Sequence, residues 1–533
     1  MKKMKKRLKR VLVLALTIAV TGSGLPLAAL NVSASDVAVE QDLTTETMPE
    51  DILNDNVQSE EAVPEEIETG EESLSETESH DVESTENTNN IEISEDNTTE
   101  ETTKESSITT VECDLSDYIV QEGGLETIED ATVGRNAATA DVEGAKAALL
   151  EGLLNREAEI DISSYKISTD QIEALIAEVI NENSELFYVG SQSYSFDEET
   201  DLVISCIFDY KYDATTTETY NAALEAAYKE AIPDATGMSD VQKARALHDY
   251  LCQHVQYDSS TSYKYTAYGA IVNGLAVCQG YTLAYQALLN KAGISNGLCP
   301  SDAMKHIWNY VKIGSYWYHV DVTWDDPTYD RDGYVRHYYF LNSDTKIKTA
   351  APNSTSTHSS WNSNSYTCSS TTYDNQWWAS VEYAIFYIDG YEYYLKTTNA
   401  GTTSQAIALI RRSGSTETQM CSATTGKWTN YGNTSVLYKT AFSSLSYYDG
   451  TLYFNDKTKI YSVYPGQKSK TTVYTYTGSA GYICGSLVCG NKIKICVKKK
   501  PYGSEETNLT ETKPNNPYSS VKITANPTSL TYG

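Results

Sequence analysis

Hydrophobic periodicity divides the folded part of the chain into helices, hairpins and a long β-rich tail. After Gln279, residues Tyr281, Ala284, Tyr285, Leu288 and Leu289 fall at helical spacing and Gly293 closes the stripe, predicting a helix that starts at Cys278. Two further helices are announced by capping boxes. Ser168-Thr169-Asp170-Gln171 precedes Ile172, Leu175, Ile176, Val179 and Ile180; Ser239-Asp240-Val241-Gln242 opens a helix through Leu247 and Leu251 to Val255. Leu202 to Tyr212 reads as a strand.

Two β-branched and aromatic runs, His306–Ile313 and Tyr316–Trp324, are separated by Gly314-Ser315 and predict a hairpin with a type II′ turn. That turn pairs Ile313 with Tyr316. His306 then falls opposite Thr323, Trp308 faces Asp321, and Asp321 lies diagonal to His306 on one face, roughly 7 to 8 Å away at the backbone. A three-residue turn would send His306 and Asp321 to opposite faces. Further on, Tyr387-Ile388-Asp389-Gly390 recurs as Tyr447-Tyr448-Asp449-Gly450, with a weaker third unit around Gly490-Asn491. So few repeats predict an open sheet, sandwich or partial propeller.

The chemistry concentrates between Val277 and Trp324. A helix N-terminus favours an anionic sulfur at Cys278, because its unpaired N–H groups and dipole stabilise negative charge. An imidazole that accepts the thiol proton and a carboxylate that orients the imidazole complete a nucleophile system for acyl transfer through a thioester. Cys278, His306 and Asp321 are the candidate catalytic residues. His319, facing Tyr310 on the same side of the hairpin, is the rival base. His248, His254 and His337 read as structural histidines, and Asp325 and Asp326 as shaping the exit toward Pro327. The Cys278 backbone N–H is a natural oxyanion donor. The second donor stays open among Gln279, Tyr265, Tyr268 and Asn273; Tyr263, Tyr265 and Tyr268 read first as core aromatics and second as a cleft wall.

The motifs Val277-Cys278-Gln279-Gly280-Tyr281, His306-Ile307-Trp308-Asn309 and Trp317 to Pro327, together with Tyr257-Asp258, resemble the transglutaminase-like superfamily within the papain-like cysteine enzymes. The resemblance is to its bacterial and cytokinetic branch and covers roughly 239–341, with Ile307 where many members carry Ala. It implies an α+β fold with a papain-like core, the nucleophile at a helix N-terminus and the His and Asp on an antiparallel sheet. It also implies the triad Cys278, His306 and Asp321. The Tyr-rich repeats resemble those beside enzymes on bacterial surface proteins, and an all-β module is expected there.

Composition sets the surroundings. The first ten residues carry seven Lys or Arg, and an apolar run from Val11 to Val20 leads to small residues at Val32-Ser33-Ala34, the pattern of a secretory signal peptide. Asp36 to Thr110 holds 25 acidic residues against Lys104 alone, so most of the net charge of −33 lies in a stretch too polar to fold, read as a stalk or a neutral spacer. A nucleic-acid partner is disfavoured, since no basic patch is available. Pro352 to Thr372 reads as a linker. The expected divisions are 1–34 signal peptide, 35–112 acidic disordered linker, 113–350 transglutaminase-like domain, 351–372 linker, 373–500 β-repeat module, and 501–533 linker plus the start of an immunoglobulin-like surface domain. Such an ending suggests a fragment or a truncated gene.

Ten cysteines in 533 residues are below disulfide-scaffold density. Cys484, Cys489 and Cys496 lack zinc-site spacing, and no cofactor or metal is implied. The resulting expectation is a secreted or cell-surface cysteine enzyme acting on protein or peptide amides, a peptidase before a transamidase, without a transmembrane anchor. A non-catalytic adhesin or wall-binding protein on the same scaffold is the alternative. Tyrosines of the module read as core and face residues first and as a cell-wall or host-surface ligand site second.

Overall fold

The computed structural model describes residues 107–113, 115, 140–326, 332–351, 355–362, 366–503 and 506–512. The expected signal peptide, nearly all of the acidic stretch and the immunoglobulin-like ending lie outside the described residues. One part of the expected linker is inside them: Ile108–Glu112 forms strand β1. It pairs antiparallel with β3, its β-branched residues completing an edge that the acidic run before it obscures.

The N-terminal layer is a four-stranded sheet in the order β1-β3-β4-β2, with β2 Glu159–Asp161, β3 Val189–Asp197 and β4 Leu202–Tyr210. Helices α1 (Val142–Leu154) and α2 (Thr169–Glu182) cover it. Ser168 and Gln171 form the expected capping box, and Leu149, Leu153, Ile172, Ile176 and Phe208 share this layer's core.

Helices α3 (Ala214–Ala231), α4 (Asp240–His254) and α5 (Cys278–Ala292) follow, the second opened by the Ser239–Gln242 capping box. Short parallel strands β5 (Gln256–Tyr257) and β6 (Leu275–Ala276) lead into α5. Gly293 ends α5 with φ of 72°, a left-handed position that costs glycine nothing. Against α5 lies the sheet β10-β9-β8-β7, made of β7 Asn296–Ser301, β8 His306–Ile313, β9 Tyr316–Val320 and β10 Phe340–Asn342. The hairpin register is the expected one, from Ile313↔Tyr316 to Asn309↔Val320, with Gly314 at φ 60°. The strand does not continue to Trp324. Asp321 leaves the ladder, accepts the Trp324 N–H on its carboxylate and caps a one-turn helix α6, Val322–Asp325. His306 therefore has no ladder partner at Thr323, and Trp308 pairs with Cys299 of β7 instead of meeting Asp321 across the hairpin.

The β-rich part is three separate meanders. The first is β11 (Phe386–Ile388), β12 (Tyr391–Thr398), β13 (Ala406–Ser413) and β14 (Thr416–Thr424), followed by the pair β15 (Trp428–Asn430) and β16 (Asn433–Tyr438). The second is β17 (Leu445–Tyr448), β18 (Thr451–Asn455), β19 (Lys459–Val463) and β20 (Thr471–Thr475). The third is β21 (Tyr482–Cys489), β22 (Lys492–Lys498) and β23 (Glu506–Thr512), so strand pairing extends past Lys500. Asp389-Gly390 and Asp449-Gly450 have positive φ at both residues, the two-residue I′ turn that an Asp-Gly pair favours.

The described part of the segment expected as a linker is packed. His358 and Cys368 are fully buried and Trp361 and Tyr366 pack on the β7–β8 region. Beyond it, Leu247, Tyr285, Leu288, Ile385, Leu395, Leu409 and Phe454 belong to one continuous core, so helices and meanders share an interior. No helix among the described residues is long and apolar enough to cross a membrane.

Candidate functional site

Cys278 is the first residue of α5, with Val277 as its N-cap in extended conformation, so helical N–H groups without helical partners surround the thiol. The helix is fixed to β8 by two side chains. Thr282 donates its hydroxyl to the Ile307 carbonyl at 3.0 Å, and the Asn309 amide donates to the Thr282 carbonyl at 3.0 Å. Gly280 fits because its backbone passes the Lys264 carbonyl: a Cβ there would lie 2.6 Å from that oxygen and 2.7 Å from the Ala276 Cβ. Tyr281 donates its hydroxyl to Asp326 Oδ2 at 2.6 Å, tying α5 to the residue after α6.

His306 opens β8. Its Nε2 lies 2.7 Å from Asp321 Oδ2, and its ring is stacked between the indoles of Trp308 and Trp324, centroids 5.6 and 5.5 Å away. The Cys278 side chain is a hydrogen-bond partner of the same imidazole. With Nε2 engaged by the carboxylate, the other ring nitrogen is the one left for sulfur. Burial disfavours the charged imidazole, but Asp321 and Cys278 outweigh it and raise the His306 pKa to about 10. Burial likewise opposes charge on Asp321, yet the His306 charge and hydrogen bonds from His306 and His358 hold its carboxyl well below the usual range.

His358 had no place in the sequence reading. Its Nε2 is 2.7 Å from the same Asp321 Oδ2, and it is fully buried, 4.2 Å from Trp324 and 4.7 Å from Trp308 between ring centroids. Burial, the largest influence, pushes its pKa down and favours the neutral ring, whose Nε2–H donates a hydrogen bond to the carboxylate. A lone histidine in a Ser/Thr/Asn-rich stretch offers no local signal; proximity to Trp361 and Cys368 in sequence was the one hint that the segment packs. His306, Asp321 and His358 have the donor types of a metal site. The two Nε2 atoms bonded to one oxygen already account for that geometry.

The rival base is placed elsewhere. His319 accepts the Trp308 indole N–H on Nδ1 at 3.0 Å and faces Asp344 with Nε2 at 2.9 Å, so both nitrogens are occupied in a buried structural role. His248 and His337 both contact Asp249 Oδ1 at 2.9 Å, inside the shared core. Asp325 accepts the Tyr338 and Tyr339 N–H groups, and with Asp326 serves the turn after the hairpin. Tyr263 and Tyr268 pack with Tyr212 and Phe187 as an aromatic cluster. No second oxyanion donor stands out among Gln279, Tyr265, Tyr268 and Asn273.

Residues 210–322 match the family model described as the transglutaminase-like superfamily, an interval that contains Cys278, His306 and Asp321. This segment is transglutaminase-like. The superfamily consists for the most part of cysteine enzymes, and the transglutaminase-like segment here joins a cysteine at a helix start to an imidazole on an antiparallel sheet. Among solved structures, the chain is similar to one described as a TGase, at 14% identity over 30% of this chain and 48% of that one, with a TM-score of 0.18. A candidate cysteine protease from Cytophaga hutchinsonii is 18% identical over 25% of this chain and 53% of that one, TM-score 0.17. An arylamine N-acetyltransferase from Mycobacterium abscessus is 10% identical over 48% of this chain and 86% of that one, TM-score 0.17. The chain spans about half the length of the first two. No curated protein matches.

Proposed function

We propose that this chain is a secreted or cell-surface cysteine enzyme that cleaves amide bonds of proteins or peptides through a thioester. Cys278 attacks the amide carbonyl carbon, and His306 holds the proton taken from the thiol. As the C–N bond breaks, His306 delivers that proton to the leaving amine. Water then attacks the thioester with His306 as base, releasing the acid and restoring the thiol. Asp321 fixes the imidazole and stabilises its cationic form. The single observation that carries this reading is the 2.7 Å His306–Asp321 contact on an imidazole that also bonds the helix-starting Cys278.

Hydrolysis is favoured over transfer to an amine because Cys278 is only partly buried, so water reaches the acyl-enzyme. Iodoacetamide at about pH 6 tests the nucleophile. Stoichiometric alkylation of Cys278 that is lost in His306→Ala supports the enzyme. Equal, slow alkylation of both proteins supports the adhesin-like scaffold instead. A glutamine-containing peptide incubated with and without a primary amine then separates hydrolysis from transamidation by product mass.

A further inference from the structure

Away from Cys278, three potential ligands from three elements meet at the junction of helices and meanders. Glu230 stands near the end of α3, His254 is the last residue of α4, and Cys489 ends β21. One ligand atom from each lies within 4.8 Å of the other two. His254 Nδ1 donates to the Tyr250 carbonyl at 2.8 Å, and the ring stacks on Tyr250 at 4.0 Å. That hydrogen bond occupies Nδ1 and leaves Nε2 as the atom turned to the other two groups, the arrangement of imidazoles that bind metals.

Glu230 and Cys489 are the groups Nε2 meets there. The atom is buried, without a hydrogen bond of normal length, and the Glu230 oxygen lies 3.6 Å away, an ion pair when the ring is protonated. Among the described residues Glu230 has no Lys or Arg in ion-pair reach. A proton on Nε2 can pair the ring with Glu230, and a metal ion held by all three groups would take that proton's place. Tetrahedral zinc with bonds of about 2.0–2.3 Å sets its ligands roughly 3.5 Å apart, close to the His254–Glu230 separation. A Cys, a His and a carboxylate form a donor set of the borderline-soft kind that zinc prefers over calcium or magnesium. Glu230 and His254 also line a cavity of about 570 Å³ that reaches Tyr387, Tyr447 and Val488. A fourth coordination position can therefore be filled by water or by a group entering the cavity.

We propose that Glu230, His254 and Cys489 bind one zinc-class divalent ion that clips the end of β21 to the ends of α3 and α4. Binding replaces the thiol proton, which is released to solvent, with the metal–sulfur bond. The test is titration of the metal-stripped full-length chain with Co²⁺ and Zn²⁺. One equivalent should bind, with thiolate-to-cobalt charge-transfer absorption and a raised melting temperature. Cys489→Ser should abolish that absorption and weaken zinc by at least about tenfold. Cys278→Ser should retain both signals, which separates this site from the partly exposed thiol of the candidate active site. Glu230→Gln, which keeps side-chain shape, provides a second weakened variant if Cys489→Ser folds poorly. Failure of the chain to bind either metal, or an unchanged charge-transfer band in Cys489→Ser, overturns the proposal.

Discussion

At the residue scale, one carboxylate oxygen serves two imidazoles of different character. His306 is charged-prone and faces sulfur; His358 is neutral and faces no reactant. Asp321→Asn keeps an acceptor but loses the charge that holds His306 protonated. Its kcat/KM should fall about 10²–10⁴-fold with the fold retained, measured by steady-state kinetics beside circular dichroism. The raised pKa also predicts a stability effect of definite sign. In the unfolded chain His306 titrates near 6.5; folded, it titrates near 10. Its contribution is present in full below about pH 6.5 and is lost as pH rises through about 10. Melting temperature should therefore drop more across that window in the wild type than in His306→Gln. Equal drops would remove the charged imidazole from the picture. The three residues the motifs single out are brought together, whereas His358 was illegible, because a burial partner supplied from a polar segment has no periodicity to betray it.

At the element scale, the turn chemistry was readable and the strand end was not. Gly314 fixed the register at Ile313↔Tyr316. Val322 and Thr323 look like strand residues, but Asp321 caps a helical turn over them, and local hydrogen bonding overrode β propensity. That turn is what allows the carboxylate to swing to His306 after the ladder has stopped. The opposing half of the site depends on α5 approaching the Lys264 carbonyl. Gly280→Ala should cost about 1–3 kcal/mol in urea unfolding and slow alkylation of Cys278, since the helix start must shift to relieve the contact. Thr282→Val leaves the helix packed but removes the hydroxyl bond to Ile307, so a loss of about 1 kcal/mol is expected in the same measurement.

At the scale of the whole molecule, the segment that reads as a linker and the repeats beyond it are built into the interior of the helical part. Arg245 is buried and ion-paired with Glu392, while Asp249 accepts the Ile385 N–H and Gln253 donates to the Leu445 carbonyl. Composition could suggest a boundary near residue 351 because Ser, Thr and Asn dominate there; it could not reveal that Trp361 and Tyr366 pack against the β7–β8 cluster beside a buried Cys368. Glu392→Gln should destabilise the intact chain by about 3–5 kcal/mol, leaving a buried guanidinium uncompensated, and the paired change Arg245→Met with Glu392→Leu should recover most of it. Denaturant titration of all three proteins checks this. The two indoles that clamp His306 carry a different consequence. Of the seven tryptophans, Trp308 and Trp324 lie against the one ring whose charge state reports readiness of the sulfur. Because a cationic imidazole quenches a neighbouring indole, the difference in emission between wild type and His306→Gln becomes a built-in optical gauge, readable without substrate or label, of when the site is armed.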